Sequence, residues 1–174
     1  MSQGLTYRQA TEADLLTLCE LGQPLNRLHH QARPDIYTAA TEHVGRDQSH
    51  WLPSLTNTHQ AAFIAEQHGV GIGFITLQLF DPSSPLMQPL RACRIGSVCV
   101  LEAQRGQGIG RALMGIAQRW AIEQGAGDLR LTVWSFNEPA QRLYQEMGYE
   151  IRAFEMGKRL DQEDDSPNEG RVLP

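Results

Sequence analysis

The stretch Val98-Cys99-Val100-Leu101-Glu102-Ala103-Gln104-Arg105-Gly106-Gln107-Gly108-Ile109-Gly110-Arg111-Ala112-Leu113 decides how the rest of the chain is read. It runs from a strand through a glycine-rich turn into the start of a helix. Such a junction is an anion site: glycines let the backbone approach, N–H groups point outward, and the helix macrodipole favours negative charge. Arg105 and Arg111 add positive charge nearby. A P-loop would need Gly-Lys followed by Ser or Thr, but Arg111-Ala112 follow Gly110. The dinucleotide fingerprint needs a third glycine at the sixth position; counting from Gly106 that place is Arg111, and from Gly108 it is Leu113. The pattern that fits is Arg-x-x-Gly-x-Gly, read as Arg105, Gly108 and Gly110. A tight turn without a ligand is the competing reading, and three glycines beside two arginines favour phosphate.

Outward from this segment, Ile109, Ala112, Leu113, Ile116, Ala117 and Trp120 recur at helical spacing, and Gly125 and Gly127 end the helix. Leu129, Leu131 and Val133 alternate as a strand. A short helix carries Ala140, Leu143, Tyr144 and Met147 on one face, and Ile151 to Leu160 reads as a last strand. Upstream, Leu5 to Gln9 is a first strand, and a helix beginning after Thr11 is expected to break at Gly22 and Pro24. Tyr37 to Leu55 holds an irregular helical pattern. Ala61–Glu66 and Gly71–Leu79, separated by His68-Gly69, form a hairpin, and Cys93 to Leu101 is the strand that enters the glycine turn. Helices packed on a central sheet, a mixed α/β architecture, follow from this order.

The 174 residues are about one domain's worth at ~150 residues each. Residues 1–160 are the expected domain, and the acidic stretch 161–174 a flexible tail. Fifteen basic against twenty acidic residues give a net charge of −5, which argues against a nucleic-acid-binding surface. No run approaches the ~18 apolar residues of a membrane span, and Met1 to Ala10 shows no secretory pattern. Three cysteines without a Cys-x-x-Cys pair, and six histidines without a His-x-x-x-His spacing, point to reduced thiols in a cytoplasmic protein with no metal site.

The loop and a second segment together carry a family resemblance. The second segment is Leu131-Thr132-Val133-Trp134-Ser135-Phe136-Asn137-Glu138-Pro139-Ala140-Gln141-Arg142-Leu143-Tyr144-Gln145-Glu146-Met147-Gly148-Tyr149. With Arg-x-x-Gly-x-Gly upstream, it resembles the GNAT superfamily of acetyl-CoA-dependent N-acetyltransferases. The resemblance implies a mostly antiparallel sheet whose fourth and fifth strands run parallel and splay apart, with acetyl-CoA as co-substrate in the gap. It assigns the pantetheine arm to the backbone of Val98 and Val100, and the thioester carbonyl to an N–H at Cys99 or Val100. Arg105, Gly106, Gln107, Gly108, Ile109, Gly110 and Arg111 would cradle the pyrophosphate, Asn137 would reach the pantetheine amide, and Tyr144 would protonate the departing thiolate. The acceptor would be a primary amine of a small molecule or a peptide, held by the regions 29–58 and 80–91 of a monomer or homodimer.

Bland readings stand beside these: Asn137 as a helix N-cap, Tyr144 as a core residue, Cys99 as packing. One departure from the family pattern concerns the proton-relaying acid on the fourth strand. Its place here reads Ile95-Gly96-Ser97, leaving Glu66, His68 or Glu102 through water, or no base at all. A CoA-binding module without catalysis is therefore the alternative function, and a longer acyl chain an alternative donor.

Overall fold

Five strands make one sheet in the order β1 (Leu5–Gln9), β2 (Gln60–Gln67), β3 (Val70–Phe80), β4 (Ala92–Val100) and β5 (Asp128–Leu131). The computed structural model describes residues 4–160 apart from Ser83; the expected acidic tail, 161–174, lies outside the described residues. Neighbouring strands are antiparallel except β4 and β5, which are parallel. Parallel strands need a crossover, and α4 (Ile109–Glu123) supplies it. Between β2 and β3, His68 and Gly69 both take positive φ (52° and 78°), the backbone that a two-residue hairpin turn demands.

The sheet is buried on both faces. On one, Ile109, Leu113, Met114, Ala117 and Ala121 of α4 pack on Ile75, Leu77, Leu79, Cys93 and Ile95. On the other, α1 (Leu15–Ala32) and α2 (Gln48–Trp51) bring Leu18, Cys19, Leu21 and Trp51 onto Ile64, Phe74 and Cys99, with Leu55 of α3 (Pro53–Thr56) packed alongside. Phe74 and Ile75 sit in different clusters because successive strand residues point to opposite faces. α5 (Glu138–Glu146) follows β5 and lies beside the start of α4, with Arg111 paired to Glu146.

Two expectations are corrected. α1 does not break at Gly22 and Pro24; it runs unbroken from Leu15 to Ala32. Gly22 lies against Trp51, where a Cβ would come within 2.7 Å of the indole, so the glycine serves close packing. Pro24 forfeits one helical hydrogen bond, and burial of Leu18, Cys19 and Leu21 holds the helix together. Nor does Ile151 to Leu160 form a strand. Residues 151–160 have no regular structure, and Ile151, Phe154, Met156 and Leu160 are exposed. Nothing among the described residues pairs with the outer edge of β5, so the apolar alternation had no sheet to join. Arg152 instead holds this segment to Asp128 at 2.7 Å.

Candidate active site

β4 and β5 pair over only four positions, from Ala92↔Asp128 to Ile95↔Leu131. Among the described residues, β4 then continues to Val100 beside β3 alone. The parting coincides with a bulge: Ile95 faces Leu77 and Val98 faces Ile75, so Gly96 and Ser97 together oppose Thr76. An extra residue bends a strand and increases its twist. Thr76 Oγ1 accepts the Ser97 N–H at 2.9 Å, and a Cβ on Gly96 would stand 2.8 Å from the same oxygen. Beyond the bulge, Leu101 donates its N–H to Ile72 on the β3 side (2.9 Å), and the Cys99 carbonyl also lies toward Gly73 of β3. By alternation, Val98 and Val100 turn their backbone groups to the unpaired edge. Arg105 Nε donates to the Val100 carbonyl there at 3.1 Å.

The chain then turns through Glu102–Gln104 into the glycine loop. Gly106 and Gly108 adopt φ of 76° and 79°, left-handed backbone that only glycine takes cheaply. Gly108 is the N-cap of α4, and no side chain caps the helix. Ala112 is the first residue whose N–H finds an acceptor, the Gly108 carbonyl at 3.0 Å. Among the described residues, no acceptor engages the N–H groups of Gly106, Gln107, Gly108, Ile109, Gly110 or Arg111. Arg111 pairs with Glu146 at 2.6 Å, and both side chains are more than half exposed (51% and 63%), so a ligand can exchange for this contact at small cost. A groove of about 510 Å³ leads from Gly108 and Arg111 along α4 to Arg119 and Tyr7.

Across the gap, Asn137 Oδ1 caps α5 by accepting the Ala140 N–H at 3.4 Å, and its Nδ2 has no acceptor among the described residues. The capping role and a free donor coexist in one side chain. Tyr144 is half-buried against the core, its ring 5.8 Å from that of Tyr149. Burial pushes its hydroxyl pKa up, so it stays protonated at neutral pH. Burial also pushes the Cys99 thiol up to about 11, so it stays protonated at neutral pH.

A family model for the acetyltransferase (GNAT) family matches residues 24–149. The chain belongs to the GNAT acetyltransferase family. YdgE of Bacillus subtilis (strain 168), an uncharacterised N-acetyltransferase, is 33% identical over 117 residues. That stretch is 67% of this chain and 66% of the relative, so about two thirds of the relative's length is spanned. A tetramutant of BH1408 from Bacillus halodurans has the same fold, with a TM-score of 0.78 and 24% identity over 89% of this chain and 99% of that one. The aminoglycoside N-acetyltransferase AAC(6')-Iy, solved in complex with CoA, matches with a TM-score of 0.69 and 20% identity over 90% and 94%.

In this GNAT chain two of the three titratable groups raised from sequence as candidate bases lie on β2 and its hairpin turn, and the third, Glu102, directly follows the open edge of β4. Glu66 lies on β2, bonded to Arg8, which also holds Asp14. His68 sits in the β2–β3 turn against Gly4, and Glu102 in the turn beyond β4. Two features absent from the sequence reading flank the fork. Past the end of β5, Trp134 Nε1 donates to the Tyr37 hydroxyl (2.7 Å), while His29 at the end of α1 stacks on Tyr37 (4.7 Å) and meets Phe136 edge-on (5.9 Å). Burial pushes the His29 pKa down. These partners are 97 residues apart for Trp134 and Tyr37, and nothing local in the sequence joins them. On the α2–α3 side, a cavity of about 310 Å³ reaches Gly96 and Ser97. Gly96 inside β4 is its one sequence signal. Among the described residues, no helix is long and apolar enough to cross a membrane, and no group of three or more His, Cys, Asp or Glu side chains could hold a metal.

Proposed function

We propose that this chain transfers an acetyl group from acetyl-CoA to a primary amine by direct attack. The observation that carries the reading is the continuity of open backbone groups: the edge of β4 at Val98 and Val100, where Arg105 engages the Val100 carbonyl, leads straight into the uncapped N–H groups of residues 106–111. That path has the polarity of acetyl-CoA, amide-rich along the pantetheine arm and anionic at the pyrophosphate. The N–H groups from Gly106 to Arg111, with Arg105 and Arg111, take the pyrophosphate. Val98 and Val100 bond the pantetheine amides, and Asn137 Nδ2 adds a donor from the far side. Val100 is the residue whose N–H the open edge presents to the thioester carbonyl, where it stabilises the charge that develops on oxygen.

The amine nitrogen forms the new C–N bond, the C–S bond breaks, and the Tyr144 hydroxyl gives its proton to the departing sulfur. The amine's surplus proton leaves to water. Because no carboxylate stands at Ile95-Gly96-Ser97, the acceptor has to arrive neutral. An α-amino group near ~8 meets that condition more readily than a lysine near ~10.4. AAC(6')-Iy, crystallised with CoA, supports the donor assignment through the shared fold. Three free, buried cysteines support a reducing, cytoplasmic setting.

The missing acid also favours a second reading, a CoA-binding module without catalysis. Release of free CoA thiol from acetyl-CoA, measured against a panel of amines, separates the two. Amine-dependent release is expected, with a rate that rises with pH through the acceptor's own pKa. Tight acetyl-CoA binding without release from any amine would establish the module instead.

A further inference from the structure

The cavity below the fork has a charge character that selects among amines. Its walls include Ser54, Gln60, Thr76 and Gln78, together with His50 and Arg94, and among the described residues no carboxylate lines it. Gln60, Gln78 and Arg94 are register partners across β2, β3 and β4, so they stand side by side on the face that α2 and α3 leave uncovered at this end. The other arginines here have acidic partners: Arg130 has Asp128, Arg152 has Asp128 and Glu150, and Arg91 has Asp81. Arg94 has none among the described residues. Its guanidinium lies 5.4 Å over the Phe80 ring, which orients the plane while leaving its donors unused.

We propose that Arg94 is a specificity residue that binds a carboxylate on the acceptor, so that the preferred acceptors are primary amines carrying an acid group several bonds from the nitrogen. This rests on the acetyl-transfer reading above. The cavity touches both Arg94 at one end and Gly96 and Ser97 at the fork, next to Val98. Arg94 and Val98 are about 13 Å apart along the strand at ~3.3 Å per residue, part of which the arginine side chain spans. The planar guanidinium matches a carboxylate with two parallel hydrogen bonds. A polycation such as an aminoglycoside meets the opposite conditions: among the described residues its ammonium groups find no carboxylate in the cavity and one fixed positive charge.

The test uses the full chain with acetyl-CoA and three acceptors: ε-aminocaproate, its neutral carboxamide, and an aminoglycoside. The carboxylate form is expected to show a kcat/KM about 10- to 100-fold above the carboxamide, the range for a hydrogen bond to a charged group. Arg94→Gln is expected to erase that difference by raising KM for the acid while leaving the carboxamide unchanged, and Arg94→Lys to restore part of it. Arg94 is exposed, so neither variant threatens the fold. Equal rates for acid and carboxamide, an equal effect of Arg94→Gln on both, or preference for the aminoglycoside would overturn the proposal. Calorimetric binding of ε-aminocaproate to the CoA-loaded protein is measured in parallel. Binding that Arg94→Gln abolishes, without transfer to any amine, would uphold the acid site and remove the transferase reading; no binding and no transfer would remove both.

Discussion

From Ala92 to Ile95, β4 lies between β3 and β5, and Ala92, Cys93 and Ile95 are at most 4% exposed; from Gly96 to Val100 it has β3 alone among the described residues, and only Cys99 of this half is buried. One strand thus has a structural half and a half whose backbone is offered to a ligand. The switch between them is a single extra residue. Gly96 and Ser97 share the place opposite Thr76, β4 bends there, and β5 stops following it. Hydrophobicity does not distinguish the halves, since Val98, Cys99 and Val100 are as apolar as Ala92, Cys93 and Ile95. Hydrogen bonding does.

The largest expected effect belongs to the site across from the open half, on α5. Tyr144→Phe keeps the ring and its packing but removes the proton donor, so kcat is expected to fall by about 10²–10⁴-fold with acetyl-CoA affinity unchanged. The defect should shrink as pH rises past the thiol's own pKa, ~8.5 for a cysteine-like thiol, because a leaving thiolate then needs no proton. An unchanged rate with a lowered melting temperature would return Tyr144 to a packing role.

Next comes Gly108→Asp, which puts a side chain and a negative charge at the head of α4. The wild-type chain is expected to gain ~2.7 kcal/mol of apparent stability at one hundred times the dissociation constant of CoA, and the variant to gain none. Gly108→Ala separates charge from strain: a Cβ there meets nothing within 4 Å, so only the left-handed φ of 79° is penalised, by about 1–2 kcal/mol. CoA should still stabilise the alanine variant. Should both variants respond to CoA like the wild type, the loop is not the pyrophosphate site.

The paired and unpaired halves differ in how much of them the sequence discloses. The α4 side was readable because two periods agree: Ile109, Leu113 and Ala117 repeat at helical spacing while Ile75, Leu77 and Leu79 alternate, and both report one interface. The loop was readable because Gly106 and Gly108 carry a backbone requirement that no other residue meets cheaply. The fork was visible only through family resemblance, since the bulge depends on Thr76, 21 residues before Ser97. The continuity of α1 through Pro24 was hidden for the same reason; it depends on burial of Leu18, Cys19 and Leu21 against distant strands, and Gly22 is explained by Trp51 beside it. The apolar run from Ile151 to Leu160 misled because alternation states which residues could share a sheet face and not whether a strand is there to pair with. The cavity at Arg94 needs four segments brought together, and no local pattern encodes that.

A smaller effect sharpens the contrast at its hinge. Thr76→Val preserves shape but takes away the acceptor of the Ser97 N–H, at an expected cost of about 1–3 kcal/mol in denaturant unfolding. KM for acetyl-CoA should rise as well, because the bulge aims Val98 and Val100. A stability loss with unaltered acetyl-CoA kinetics would mean that the open edge does not depend on the bulge.

The smallest effect on the site serves as a control. Asp14, far from β4, is held by Arg8 with its carboxyl pulled down to about 2. A depressed carboxyl contributes stability above its unfolded value of 3.8 and loses it as pH falls through about 2. Asp14→Asn should therefore lower stability at neutral pH by on the order of 1–2 kcal/mol, reduced by screening at the 41% exposed Arg8. The difference from wild type should vanish between pH 4 and pH 2, a span set by that shift, with kcat and KM unmoved at neutral pH. An effect on acetyl-CoA kinetics would show that the far edge of the sheet is coupled to the fork.

Amide hydrogen exchange with and without saturating CoA compares the two halves of β4 directly, residue by residue. New protection is expected at Val98 and Val100 and along Gly106 to Arg111, whose N–H groups lack acceptors among the described residues, while Ala92 to Ile95 exchange as before. Bound CoA that leaves Val98, Val100 and the glycine loop unprotected, or that protects another surface instead, would contradict the assignment of the open half of β4 as the acetyl-CoA site.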